Sequence, residues 1–250
     1  MTLNKSLALG FVLGTIALNC AAHNDELVLQ ETKTLALDTA DISHLAIEAG
    51  AGSLKVVGGH GDSIEVTAEI YQIKPHSDYC LTLTNTARGG LLKAGNCDDR
   101  RHYGRDMQTS INLTVHLPKE MTLNIADGSG SIDVSDVAKT EIHDGSGSIK
   151  VRDITGNLVI HDGSGSIQVS NVAGSVRVHD GSGPIVIKNV EDDVEVTDGS
   201  SSIEIANVSG GVSVSDGSGG INVDGAKSFK LISDGSGQVN VTNVSGQVSM

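Results

Sequence analysis

The sequence predicts an all-β fold, a parallel β-solenoid of the β-helix or β-roll kind, with 18-residue coils and a less regular β region capping its N-terminal end. Three observations predict it. The triplet Asp-Gly-Ser recurs at Asp127, Asp144, Asp162, Asp180, Asp198, Asp216 and Asp234, in steps of 17, 18, 18, 18, 18 and 18 residues. Between these anchors Val and Ile alternate with polar residues, the period of a strand with one face in a core. The 250 residues hold 31 Gly but no Trp, 2 Phe and 3 Tyr, so the core has to be built from columns of β-branched side chains. Self-similarity at a fixed short period marks a stacked array.

Composition also limits function. With 17 Lys+Arg against 31 Asp+Glu the net charge is -14. Such a chain repels phosphate and offers few rings for bases to stack on, so nucleic acid is not expected as a partner. A hydrophobic content of 38%, rich in Val and Ile, sets it apart from disordered chains.

Residues 1–22 read as an export signal: one cation at Lys5, an apolar run from Leu7 to Ala17, then small residues at Cys20-Ala21-Ala22. The run is short for a permanent membrane span. Two processing chemistries fit. Cleavage after Ala22 would discard Cys20, whereas Ala17-Leu18-Asn19-Cys20 resembles a lipoprotein box in which Cys20 is lipidated. Asn19 departs from that box, which places Gly, Ala or Ser before the cysteine. The expected location is therefore the periplasm or cell surface, with membrane attachment only through a lipid at Cys20.

Residues 23–120 read as an N-terminal β cap with irregular first coils. Gly50-Ala51-Gly52-Ser53-Leu54-Lys55-Val56 imitates Gly145-Ser146-Gly147-Ser148-Ile149-Lys150-Val151, and longer alternating strands follow at Ser63–Tyr71 and Ser110–Leu117. Between them lie Cys80 and Cys97, an even pair in an exported chain. A disulfide there would close a loop worth roughly 3 kcal/mol in the chain-entropy picture; two free buried thiols are the other reading.

Residues 121–250 read as seven repeats, each divided into two halves of nine. Asp or Asn recurs nine places after most anchors, at Asp136, Asp153, Asn171, Asn189, Asn207 and Asn243, with Gly225 as the exception. Each half-repeat is a short strand followed by an Asp/Asn turn. One coil turns Ile167, Val169, Val172, Val176 and Val178 inward, and the next Ile185, Ile187, Val190, Val194 and Val196. A strict count would bury Lys230, so a bulge is expected within Phe229–Ile232. The final half-repeat, from Asn243 to Met250, is expected to leave an open edge for self-association or a partner strand.

The layout resembles the bacterial "putative adhesin" β-strand-repeat family of unknown function. The matching segments are Leu45-Ala46-Ile47, Gly52 to Val56, Ile111-Asn112-Leu113-Thr114-Val115-His116-Leu117-Pro118 and the Gly-Ser-Gly-Ser-Ile-x-Val series from Gly128. The resemblance implies an exported solenoid with adhesion or envelope roles, and transfers no catalytic residue.

Several constellations are candidates for chemistry. Stacking would place the anchor aspartates, Asp144, Asp162 and Asp180 among them, about 5 Å apart, repelling by ~0.8 kcal/mol per pair across water. They are expected to cap turns; weak Ca²⁺ bridging is the sharper alternative. The calcium-binding nonapeptide roll is excluded, because its ligand position holds Ile132, Ile149, Ile167, Ile185 and Ile203 here. His143, His161 and His179 form an outward row that could hold a zinc-like ion. The run Asp98 to Asp106 supplies Arg100, Arg101, His102, Tyr103 and Arg105 for recognition. No triad or acid–base cleft is legible, so an enzyme is not expected. The leading reading is a non-enzymatic exported scaffold with an adhesion or display role and no cofactor, its partner an envelope or surface protein or glycan. The alternative is a weak divalent-cation binder using the Asp and His rows.

Overall fold

The computed structural model describes residues 26–59, 61–96 and 108–250. The leader with Cys20, Cys97 and hence its pairing with Cys80, and the loop carrying Arg100, Arg101, His102, Tyr103 and Arg105 lie outside the described residues. The N-terminal part forms β1 (Val28–Asp38), β2 (His44–Ala49), β3 (Leu54–Gly59), β4 (Ser63–Gln72), β5 (Cys80–Thr86), β6 (Gly89–Gly95) and β7 (Thr109–Pro118). The repeats add β8 (Thr122–Asp127), β9 (Ile132–Val137), β10 (Thr140–Asp144), β11 (Ile149–Ile154), β12 (Leu158–Asp162), β13 (Ile167–Val172), β14 (Val176–Asp180) and β15 (Ile185–Val190). The stack ends in β16 (Val194–Asp198), β17 (Ile203–Val208), β18 (Gly211–Asp216), β19 (Ile221–Ala226), β20 (Ser228–Asp234), β21 (Val239–Val244) and β22 (Val248–Ser249).

These strands make two sheets of 11 strands each. From β8 onward, even-numbered strands lie in one sheet and odd-numbered strands in the other, every adjacent pair parallel. The chain is therefore a β-solenoid, and equivalent residues fall in register: Ile142 on Ile160 on Val178, Ile149 on Ile167 on Ile185. The inward residues read from the sequence, Ile167, Val169, Val172, Val176 and Val178, are all buried. Each contributes about 1.5–3 kcal/mol by leaving water. Uniform columns of Ile and Val leave little room for rings, and the single described phenylalanine, Phe229, is buried near the last coil.

Register slips have identifiable causes. The 17-residue step arises because Ala138-Lys139 joins β9 to β10, where Thr155-Gly156-Asn157 joins β11 to β12. The expected bulge is present at Ile232: Val214 pairs with Leu231, but Ser215 pairs with Ser233. It compensates for a short connection, Lys227 alone between β19 and β20. Phe229 thereby stays inside while Lys230 and Ile232 are exposed.

The nine-residue half-repeat needs a correction. Asp136, Asp153, Asn171, Asn189, Asn207 and Asn243 are not simple turns between strands. They are left-handed kinks near strand ends, with φ of 55–60°. The strand resumes one residue later with an inward Val or Ile, and the chain turns only after that. Asn and Asp tolerate this region better than other side chains, and Gly better still. Gly225, the sequence exception, has φ of 85° and performs the same task.

Residues 23–120 contain both coils and a cap. β2 and β3 already form a coil, pairing in parallel with β8 and β9, with Leu54 opposite Ile132. β6 and β7 form another coil on its outer side. Among the described strands only the β1–β4, β4–β7 and β5–β6 pairings are antiparallel, and these close the end of the stack. Tyr79 hydrogen-bonds to both Glu31 and Lys33, tying the start of β5 to β1 on the other sheet. This clasp across the closed end has no repeat signature and was not legible in the sequence.

Glycine is required where coils touch. A Cβ on Gly165, whose φ is 145°, would stand 1.6 Å from the Gly147 carbonyl oxygen, and Gly147 repeats the relation to Gly130. Gly165→Ala is expected to cost at least ~2 kcal/mol through backbone strain and overpacking. Asn189→Gly keeps the left-handed kink and is expected to cost under ~1 kcal/mol. Urea unfolding of both variants checks this, and equal losses would contradict the assigned corner geometry.

Candidate functional site

Stacking turns each repeated polar letter into a column, and three columns are chemically distinct. The first is an amide ladder on the outside. Asn171 Nδ2 donates to Asp153 Oδ1 at 2.8 Å, Asn189 to Asn171 at 2.9 Å, and Asn207 to Asn189 at 3.0 Å. The left-handed kink places these side chains, and Ile154, Val172 and Val190 turn beneath them. The result is a groove of about 550 Å³ that runs along the stack, with Lys119 at one end. A primary amide has two N–H donors and one oxygen with two lone pairs. Asn171 and Asn189 therefore each keep one donor and one acceptor site for a ligand.

The second column is the anchor aspartates. Parity, and not only turn chemistry, decides where they point: Ile160 faces in, His161 out, Asp162 in. Asp127, Asp144, Asp162, Asp180, Asp198 and Asp216 are all buried, the last two exposing only 4% and 3%. The turn-capping role read from the sequence holds for one oxygen. Oδ1 of Asp144, Asp162, Asp180, Asp198 and Asp216 accepts the N–H of the serine two residues on, at 3.2–3.3 Å. The other oxygen, Oδ2, is buried in every one of them and has no hydrogen-bond partner. Repulsion across water is therefore the wrong description of this column. Burial, reinforced by the neighbouring carboxyls, pushes Asp127 and Asp180 up to about 6. Burial raises Asp144, Asp162, Asp198 and Asp216 as well.

The third column is the histidine row, which faces outward as read from alternation. The rings of His143 and His161 stack at 4.7 Å between centroids, and those of His161 and His179 at 5.0 Å, each pair within 7° of parallel. Glu141 Oε1 lies 2.9 Å from His143 Nε2. Imidazole binds a metal through a lone pair in the ring plane, so parallel stacked rings aim their lone pairs side by side and not at one point. The described residues contain no group of three His, Cys, Asp or Glu placed to hold a metal ion. The structure therefore does not bring His143, His161 and His179 together with Asp144, Asp162 and Asp180 as a ligand set. The two rows occupy opposite faces of the same strands.

No family model matches the chain, and no curated protein matches it. Among solved structures it is similar to a "putative lipid binding protein" of Parabacteroides distasonis, at 19% identity and TM-score 0.43, covering 87% of this chain and 96% of that one. It is also similar to a "putative adhesin" of Bacteroides fragilis, at 12% identity and TM-score 0.38, covering 88% and 98%. A "putative adhesin" of Parabacteroides merdae matches at 11% identity and TM-score 0.36, covering 87% and 95%.

Burial and the charges of His143 and His179 hold His161 below the ordinary imidazole range. A group whose folded value is depressed in this way weakens the fold as pH falls through its unfolded value near 6.5. NMR titration of the ring protons is expected to give His161 a midpoint below 6.5. Added Zn²⁺ is expected to leave the three ring signals unmoved; a joint shift would show that the rings rotate to converge on one ion.

Proposed function

We propose that this chain is a non-enzymatic, exported scaffold of the cell envelope that presents the amide-lined groove to an extended, uncharged glycan. One observation carries the reading: Asn171, Asn189 and Asn207 repeat at one spacing along the groove of a stack paired strand to strand. Parallel strands repeat about every 4.8 Å. An extended chain of hexopyranose rings advances by a similar length per sugar, so hydroxyls of successive sugars can meet successive amides. Extended peptide advances about 3.3 Å per residue and falls out of register.

Charge supports a neutral partner. Asp136, Asp153 and Glu191 line the same groove, and the chain as a whole carries -14, so an anionic polymer would be repelled. No tyrosine or phenylalanine is among the described residues that line the groove. Affinity would rest on repeated hydrogen bonds, weak for one sugar and rising with chain length as contacts multiply. A stiff rod bearing a periodic groove suits adhesion or display.

Export rests on the leader. Cleavage after Ala22 gives a soluble periplasmic or surface protein, lipidation at Cys20 a membrane-tethered one, and either route allows Cys80 and Cys97 to pair. Mass spectrometry of the mature N-terminus separates the two routes.

Titration calorimetry with neutral linear oligosaccharides of increasing length tests the groove. Binding is expected to tighten with length and to weaken at least about fivefold in Asn171→Gly/Asn189→Gly, about 1 kcal/mol of lost hydrogen bonding. Binding that ignores both length and these substitutions would remove the glycan reading and leave the scaffold alone.

A further inference from the structure

We propose that the aspartate column is a proton-loaded spine: the solenoid takes up protons along Asp127, Asp144, Asp162, Asp180, Asp198 and Asp216 as it folds, and becomes more stable as the medium is mildly acidified. The inference is independent of the glycan reading.

The geometry is the argument. Strand pairing sets Asp144 on Asp162, Asp162 on Asp180, Asp180 on Asp198 and Asp198 on Asp216, so the carboxyls are nearest neighbours at about the strand spacing of 4.8 Å. Each has one oxygen bonded to a backbone N–H and one oxygen buried without a partner. A buried, unpaired carboxylate is among the costliest groups a fold can contain, and it escapes by neutralising. Protonation removes the charge and turns the orphaned oxygen into an O–H donor. Its neighbours in the column are acceptors of the same kind. Calcium would need six to eight oxygens around it, whereas each aspartate here brings a single unpartnered oxygen to the column.

The charged surroundings leave few other candidates. Among the described residues, the groups acting on these carboxyls are backbone N–H groups and neighbouring aspartates, with no cation among them. On the outer face of the same strands stand Glu141, Arg177, Glu195 and the histidine row. His161 acts in the opposite sense, since burial and its neighbours in the row hold it below the ordinary imidazole range and its protonation costs stability at low pH.

The linkage sign follows from the raised carboxyl values. Burial raises Asp144, Asp162, Asp198 and Asp216, and above about pH 6 Asp127 and Asp180 are charged in the folded state. As pH falls from there toward the unfolded carboxylate value near 3.9, the folded state holds more protons than the unfolded chain and gains stability. Below that value both states are protonated and the gain stops growing. Ordinary acid denaturation has the reverse slope.

The test uses the full mature chain carrying His143→Ser, His161→Ser and His179→Ser, the residue found at this position in Ser215 and Ser233. Equilibrium urea unfolding is measured at pH 7.5 and 5.0. The folding constant is expected to rise by about tenfold or more at pH 5.0, the equivalent of one proton taken up across one unit. Adding Asp162→Asn and Asp180→Asn keeps the serine N–H acceptor and supplies a neutral donor. These changes are expected to stabilise the protein at pH 7.5 and to flatten the pH response. The second measurement needs no substitution: carbon-13 NMR titration of the aspartate carboxyls, expected to show Asp127 and Asp180 titrating at about 6 and the other column members above the ordinary carboxylate range. Carboxyls that all titrate in the ordinary range, or a fold that weakens from pH 7.5 to 5.0 in the serine background, would overturn the proposal.

Discussion

Every column in this molecule depends on one steric fact: at the Asp-Gly-Ser corner, the carbonyl of one coil occupies the space where a side chain of the next would begin. A Cβ on Gly163 would lie 2.5 Å from the Gly145 oxygen, and one on Gly181 would lie 2.5 Å from that of Gly163. With glycine there, Gly163 N–H donates to the Asp144 carbonyl at 3.1 Å and Gly181 N–H to that of Asp162 at 3.1 Å. A one-residue slip would set a serine against the carbonyl and turn the Ile/Val face outward. The corner and the core therefore enforce the same register, which makes the stack a repeating one-dimensional solid.

Once register is enforced, side-chain chemistry decides whether a column helps or hurts. Branched aliphatics are self-complementary and fill the interior. Amides are also self-complementary, each donating to the one before it, as Asn189 does to Asn171. Imidazoles stack face to face when neutral and repel when charged. Carboxylates have no self-complementary form unless they carry protons, and in this fold they are the column placed indoors. The same geometry that favours Asn outside makes Asp inside a stored electrostatic cost. Cross-coil ion pairs such as Arg177 with Glu195 and Lys188 with Glu204 lie in water and contribute at most about 1 kcal/mol each.

Much of this was legible in the sequence because the repeat is its own alignment. The period, the inward Ile/Val set and the bulge near Ile232 all follow from counting letters against an 18-residue frame. Two features escaped for definite reasons. The order of the first coils could not be read, because β6 and β7 lie outside β2 and β3, and a strand-to-strand path of that kind leaves no trace in a period. The aspartates were assigned to turns because Asp-Gly-Ser is turn chemistry. Yet the alternation Ile160-His161-Asp162 already placed the carboxyl on the same face as the isoleucine. Gly225 held a similar clue, since the residue that replaces Asn at one position of a column names the backbone conformation required there.

The two faces of the solenoid therefore divide their labour. Outside, the amide groove offers unspent hydrogen-bonding capacity at a constant interval, which favours a partner that is itself periodic and uncharged. Inside, the carboxyl column couples the integrity of the rod to the acidity of its surroundings. The coupling does not pass through the groove: Asp162 and Asn171 lie on different sheets and are fixed by different corners. Acidification should then alter how firmly the rod holds together without altering the spacing at which it presents its amides, because both charge states of the column sit within the same backbone ladder.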